Sequence, residues 1–258
     1  MINNLSIITT HFFDFDWTLR LIDSIQVFTP FERIDEILII NQDRALESHR
    51  KLQELSPFVR VVEYPRSEKH FKVQGHDHAN VLNRAIREVI GDYLCIFDSD
   101  AHPINTSWLQ ACEEILTSFD AVLALVPGKV NETHPCFMMM KKDCVGRSVS
   151  FDESLFTTGV DTGRLVGRQL TESGHRVYFA PPTKAFNGLW GNIYLNSIYH
   201  HGKASFNGAE DDRIRQQINW RNRYFKKFVI EKHRYELTFS ENLLYKIQKE
   251  IRKEFGIH

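Results

Sequence analysis

The sequence predicts an α/β fold: a mostly parallel central sheet with helices on both faces, followed by a helical C-terminal extension. Three observations carry this expectation. Strand-like runs alternate with helical patterns as far as Asp98, the early runs are continuously apolar as buried parallel strands are, and the pattern from Ala209 onward is amphipathic helix alone.

Leu5-Ser6-Ile7-Ile8-Thr9-Thr10 reads as the first strand, a helix follows from about Trp17 to Val27, and Glu36-Ile37-Leu38-Ile39-Ile40 reads as the second strand. A helix over Ala45 to Leu55 precedes the strand Val59-Arg60-Val61-Val62-Glu63, and a helix from about His78 to Ile90 precedes Tyr93-Leu94-Cys95-Ile96-Phe97. Ser107, with Gln110 three residues on, resembles a capping box opening a helix through Leu116. The strand Ala121 to Val126 stops at Pro127-Gly128, and Cys136 to Met140 reads as an interior strand whose methionines are core. A helix from about Gly163 to Ser173 ends at Gly174, and Val177 to Pro181 reads as one more strand. One domain over residues 1–208 with an extension over 209–258 is the expected organisation.

With 258 residues, 42% of them hydrophobic, the chain has the composition of a globular protein with a substantial core. No apolar stretch approaches the roughly 20 residues that span a bilayer, and the start shows no signal-peptide pattern, so the expected compartment is the cytoplasm. Cys95, Cys112, Cys136 and Cys144 form no C-x-x-C pair, which suggests neither a zinc site nor a disulfide framework. The net charge of −1 conceals an asymmetry: residues 213–258 hold 12 Lys/Arg and 5 Asp/Glu, leaving an acidic body. Such a basic tail can lean on an anionic acceptor or the inner face of a membrane, and its amphipathic helices offer a homodimer contact.

Asp98-Ser99-Asp100 directly follows the apolar run ending at Phe97. Residues i and i+2 of an extended chain point the same way, so Asp98 and Asp100 can converge on one hard divalent cation such as Mg²⁺ or Mn²⁺. Ligands of parallel sheets collect beyond the carboxyl ends of the strands. That edge carries Thr9, Thr10, Asn41, Asp43, Asp98 and Asp100, and a nucleotide would lie along it. Thr9 and Thr10 can face the base, while Asn41 and Asp43 can accept from ribose hydroxyls.

Gly75-His76-Asp77-His78-Ala79-Asn80-Val81-Leu82-Asn83 and the later Gly91-Asp92-Tyr93 through Asp98-Ser99-Asp100 resemble the nucleotide-sugar half of family 2 glycosyltransferases with the GT-A fold. Phe151-Asp152-Glu153-Ser154-Leu155-Phe156 with Gly159-Val160-Asp161 is similar to that family's "fdE..F..gED" segment, and Val160 stands where a glutamate is usual. Arg168, Gly174-His175-Arg176-Val177 and His200-His201-Gly202-Lys203-Ala204-Ser205 resemble its closing "R…G..v…HHGG.S" block. The resemblance runs over about residues 5–206, with Asn41-Gln42-Asp43 departing from the usual Asp-Asp/Asn-Gly-Ser.

The resemblance implies an inverting, metal-dependent transfer of a sugar from a nucleoside diphosphate sugar, a UDP-sugar first among them, to the hydroxyl of a glycan, lipid-linked or other acceptor. Mn²⁺ or Mg²⁺ would be held by Asp98, Asp100 and either His200 or His201, with Asp100 the direct ligand and Asp98 on the ribose or a metal-bound water. Asp161 stands at the position of the family's general base, and Asn83 and Ser99 belong to its nucleotide-sugar site. Arg168 and Lys203 are secondary candidates for phosphate contact, and Trp108, Trp190, Tyr194 and Tyr199 are candidates for stacking on sugars. A nucleotidyltransferase is the enzyme alternative, but it would want a glycine-rich phosphate loop, and His11-Phe12-Phe13-Asp14-Phe15-Asp16 has no glycine. A degenerate transferase domain serving as a scaffold is the non-catalytic alternative.

Overall fold

The computed structural model describes residues 2–43, 46–65, 76–145, 149–151, 162–186, 190–202 and 212–254. The chain divides into two compact units: Met1–Ala185 with Asn192–His200, and Phe186–Gly191 with His201–His258. The expected boundary at 208/209 lies outside the described residues.

The first unit is built on β1 (Leu5–His11), α1 (Phe15–Phe28), β2 (Ile34–Asn41), α2 (Leu46–Gln53), β3 (Val59–Glu63), α3 (His76–Glu88) and β4 (Tyr93–Phe97). It continues with β5 (Ala101–Pro103), α4 (Ser107–Leu116), β6 (Ala121–Leu125), β7 (Thr133–Lys141), α5 (Lys142–Val145), α6 (Val166–Glu172) and β8 (Val177–Ala180). Seven strands form the main sheet in the order β3-β2-β1-β4-β7-β6-β8. Every neighbouring pair is parallel except the two made by β7, which runs against β4 and β6. Strand order reverses at β1, which has β2 on one side and β4 on the other. The carboxyl ends of β1 and β4 therefore flank the crevice where open α/β sheets bind ligands.

Alternation along the strands builds two cores. Ile7, Ile37, Ile39, Cys95, Phe97, Phe137 and Met139 share one cluster with Leu21, Ile22 and Ile25 of α1 and Leu109 and Cys112 of α4. Ile8, Leu38, Ile40, Leu94, Ile96, Met138 and Met140 share the other with Leu82, Ala85 and Ile86 of α3 and Val166 and Leu170 of α6. Such a side chain contributes about 1.5–3 kcal/mol when fully buried, which is why continuous apolar runs mark this sheet. The three methionines are core, as expected, and all four cysteines are free and buried.

Two local expectations are corrected. Ser107 is not an N-cap: the helix begins at Ser107, and Asn105 Oδ1 accepts from its backbone N–H at 3.0 Å and its hydroxyl at 2.6 Å. Gln110 instead donates to Glu114 one turn on, so the two residues act on different turns. The helix expected from Gly163 begins at Val166; Gly163 has φ +74°, outside the helical range, and Gly174 at φ +88° ends the helix as expected.

A second sheet completes this unit, with β9 (Pro182–Ala185), β10 (Asn192–Tyr194) and β11 (Ile198–His200) joining β5 in the antiparallel order β5-β11-β10-β9. Its register sets His200 opposite Ala101, the residue after Asp100.

The second unit holds α7 (Asp212–Phe225), a π-helical turn over Lys226–Ile230 and α8 (Phe239–Glu254). Aromatic rings join them: Trp220 stacks on Tyr245 at 5.6 Å, Tyr224 on Phe228 at 5.8 Å, and Trp190 lies 5.7 Å from Phe228. Among the described residues no helix is long and apolar enough to cross a membrane.

Candidate active site

The end of β4 does not stay extended. Ala101 N–H donates to the Asp98 carbonyl at 2.9 Å, closing a turn over Asp98–Ala101. The two carboxylates therefore converge through a turn rather than through strand alternation. Ser99 at the turn's apex donates its hydroxyl to Asp14, whose other oxygen accepts the Phe12 N–H at 3.0 Å and stands 3.2 Å from His11 Nδ1. Ser99 thus ties the end of β4 to the end of β1.

The small sheet brings His200 to this turn. Its Nε2 lies 3.6 Å from Asp100 Oδ1 and 4.0 Å from Asp98 Oδ2, and ligand atoms of all three residues lie within 4.8 Å of one another. Two further histidines complete the surroundings: His134, which sequence reasoning passed over, and His78, which it placed with Asn83 only approximately facing the cleft. His134 on β7 places Nδ1 3.6 Å from Asp98 Oδ2, and His78 on α3 places Nε2 3.7 Å from Asp98 Oδ1. His134 and His200 have ring centroids 5.0 Å apart.

Carboxylate oxygens with one imidazole nitrogen suit a divalent ion that accepts mixed ligands, Mn²⁺ more readily than the oxygen-seeking Mg²⁺. A second grouping, His134, Cys136 and His200, is softer in character. Burial pushes the Cys136 thiol well above its ordinary range, and the charges of Asp98 and Asp100 push it further. His134 Nδ1 accepts the Cys136 N–H at 3.0 Å, which in the neutral ring leaves the proton on Nε2.

His201, next to His200, is wholly buried in the second unit. Its Nε2 pairs with Asn222 Oδ1 at 2.8 Å and its ring meets Phe225 edge-on at 4.9 Å. Thr9 is buried on β1 between Ile39 and Phe97, with its hydroxyl unpartnered among the described residues, and Thr10 is half-buried. The Asn41 amide donates to Glu63 at 3.0 Å while its Oδ1 accepts the Asp43 N–H at 3.1 Å, a local turn that buries both residues. Gln42 between them has a buried, unpartnered Nε2 among the described residues. Asn83 Oδ1 accepts the Phe151 N–H at 2.8 Å, so Asn83 joins its helix to the segment preceding Asp152. Asp161 and Lys203 lie outside the described residues.

Two expectations about secondary contacts change. Trp108, Trp190, Tyr194 and Tyr199 are core residues, each at most 1% exposed, and none offers a ring face to a sugar. Arg168 is exposed and paired with Glu172 one helical turn away at 2.7 Å.

The model of the family described as "Glycosyl transferase family 2" matches residues 6–162, more than half of the chain. The chain belongs to that family. It is a glycosyltransferase of GT-A fold, and solved structures agree on the fold at low identity. This family 2 transferase is similar to a mannosyltransferase from Pyrobaculum calidifontis in complex with GDP-Man and Mn²⁺ (14% identity, 98% of this chain and 81% of that one, TM-score 0.56). It is similar also to TarS 1–349 of S. aureus (14% identity, 92% of this chain and 76% of that one, TM-score 0.53). The same protein in complex with UDP-GlcNAc aligns with 13% identity over 92% of this chain and 77% of that one, at a TM-score of 0.50. No curated protein matches the sequence. The matched region ends at residue 162, so the family 2 model covers both aspartates and His134 and stops before His200.

Proposed function

We propose that this transferase is an inverting, divalent-metal-dependent enzyme that moves a sugar from a nucleoside diphosphate sugar to an acceptor hydroxyl, with UDP-sugars the first donor class to test. The observation that carries the reading is the convergence of Asp98, Asp100 and His200, with ligand atoms within 4.8 Å of one another, beyond the carboxyl end of β4. Asp98, Asp100 and His200 would hold Mn²⁺ or Mg²⁺, and their mixed donor set fits Mn²⁺ well. When bound, the ion supplies Lewis-acid neutralisation of the leaving diphosphate. We assign the imidazole ligand to His200 because its ring faces both aspartates, and a bracing role to His201 because its Nε2 is bonded to Asn222.

The acceptor hydroxyl has a pKa far above neutrality and needs a base as it attacks. Asp161, placed in that role by the family resemblance, takes the proton while the acceptor oxygen bonds to the anomeric carbon and the bond from that carbon to the diphosphate breaks. A single displacement of this kind inverts the anomeric centre. The nucleotide lies along Thr9, Thr10, Asn41 and Asp43, with Asn83 and Ser99 holding the neighbouring segments. The Thr9 hydroxyl and Gln42 amide, buried and unpartnered among the described residues, support a polar ligand at this end of the sheet, since leaving such groups unpaired costs about 1–3 kcal/mol each.

The test is a thermal-shift panel of UDP-, GDP-, CDP- and dTDP-sugars, each with and without Mn²⁺ or Mg²⁺, on the wild type and Asp100→Ala. A ligand at about 100 times its dissociation constant adds about 2.7 kcal/mol to stability. A nucleotide-selective, metal-dependent shift that Asp100→Ala loses supports the reading and names the donor class. A panel without any shift, or an anomer retained in the product by NMR, overturns it.

A further inference from the structure

Phe239, Leu243, Ile247 and Ile251 recur at every fourth residue of α8, and Leu244 lies beside them. At 3.6 residues per turn they cover an arc of roughly 140° along one side of the helix. All five are exposed, from 46% at Ile251 to 86% at Phe239. A contiguous apolar patch of this kind marks an interaction surface, whereas single exposed apolar residues need no explanation.

The opposite side of α8 is already engaged. Tyr245 is buried against Trp220, Gln248 Oε1 accepts from the Tyr224 hydroxyl at 2.6 Å, and Glu241 is bonded to Lys232, Arg234 and Thr238. The apolar arc is therefore the outward face of a docked helix. Exposed Lys246 and Lys249 border one edge of it, and Arg223, Lys226 and Lys227 are exposed on the preceding helical segment.

We propose that the first three turns of α8 lie flat on an anionic bilayer surface, with Phe239, Leu243, Leu244 and Ile247 in the acyl boundary and the lysines at the phosphate level. An apolar arc with a basic border is the pattern of interfacial helices, and each lysine near an anionic leaflet adds to the attraction. Charge decides between this partner and a second copy of the chain. Residues 213–258 carry 12 Lys/Arg against 5 Asp/Glu, so two copies face to face would bring like charge together. Glu250 and Glu254 fall within the arc at the end of the helix, which confines the contact to the turns before them.

The test is flotation of the full chain with vesicles of phosphatidylcholine alone or mixed with phosphatidylglycerol, at low and high salt. The expected result is binding to the anionic vesicles only, weakened by salt. Leu243→Glu with Ile247→Glu removes it, Lys246→Glu with Lys249→Glu weakens it by roughly tenfold or more, and Glu250→Lys strengthens it. Circular dichroism melting of each variant confirms that the fold is retained, and the lysine pair, fully surface-borne, keeps the test decisive if the apolar pair does not fold. Equal recovery with both vesicle types, or lysine reversal without effect, overturns the proposal. So does a concentration-dependent dimer in sedimentation velocity that the apolar pair abolishes while vesicles bind nothing.

Discussion

The two ends of the central sheet each hold a carboxylate, buried at Glu36 and half-buried at Asp98, and they treat it in opposite ways. At the amino end Glu36, 5% exposed, accepts from Ser6 Oγ at 3.0 Å, from Ile90 N–H at 2.9 Å and from Arg60 Nε at 2.9 Å. Ser6 Oγ in turn accepts the Gly91 N–H at 2.9 Å. These are bonds of ordinary length between protein groups, and the arrangement is complete in itself. At the carboxyl end Asp98 faces His78, His134 and His200 at 3.6–4.0 Å, beyond hydrogen-bond length, with a second carboxylate beside it. We propose that this spacing accommodates a shared divalent ion. Glu36 is engaged by hydrogen bonds of ordinary length, whereas the approaches of the three imidazoles to Asp98 are longer.

Breaking each end should therefore give different symptoms. Asp100→Ala is expected to lower kcat/KM by about a thousandfold, roughly 4 kcal/mol of transition-state stabilisation, while leaving the melting temperature of the ligand-free protein unchanged or raised. Transfer kinetics and calorimetry on one preparation check both halves. Glu36→Ala should do the reverse. It strips the acceptor from Arg60, Ser6 and the Ile90 amide and costs about 3 kcal/mol of stability in urea unfolding, with kcat retained in the folded fraction.

Gly91→Ala sharpens the amino end further. A Cβ there would stand 2.4 Å from the Asn4 carbonyl oxygen and 2.8 Å from Ser6 N, so backbone must shift. A loss of about 2 kcal/mol is expected, again with unchanged KM for the donor. At the carboxyl end His134→Gln should weaken metal binding about tenfold by calorimetric titration, because the ring beside Asp98 shapes the site. The smallest effect belongs to Asp120, outside both ends. The Arg176 amide and the Lys141 ammonium hold its carboxyl below the usual carboxylate range. A depressed folded-state pKa contributes stability above the unfolded value that is lost as pH falls through the folded one. Asp120→Asn should accordingly lower stability modestly at neutral pH, change little below the folded-state pKa, and so flatten the acid limb of the profile.

Much of the main sheet could be read from the chain because β1, β2, β4, β6 and β7 are continuous apolar runs bounded by turn residues, and buried strands have few alternatives. Asp98 and Asp100 were legible for the same reason, standing directly after such a run. The second sheet was not: strands of three or four residues are too short to carry a period, and the pairing of β11 with β5 links residues about a hundred positions apart. His134 was hidden inside the β7 run, where a lone histidine carries no spacing signal. Gln42 was not singled out between Asn41 and Asp43, although among the described residues its buried Nε2 has no partner. Trp108, Trp190, Tyr194 and Tyr199 were offered as stacking surfaces on residue type alone, and composition gave no reason to prefer that role to the core position they occupy.

The pairing of β11 with β5 sets the order in which the site can come into being. A chain emerging from the ribosome that has folded through β7 already holds Asp98, Asp100 and His134, yet the third member of the Asp98–Asp100–His200 group arrives only when Ile198–His200 docks on Ala101–Pro103. A slip of one residue in that short ladder would turn His200 to the opposite face of the sheet. The last strand among the described residues is thus also the assembly step that completes the proposed ligand set, and the half-made protein carries its two aspartates without His200 beside them.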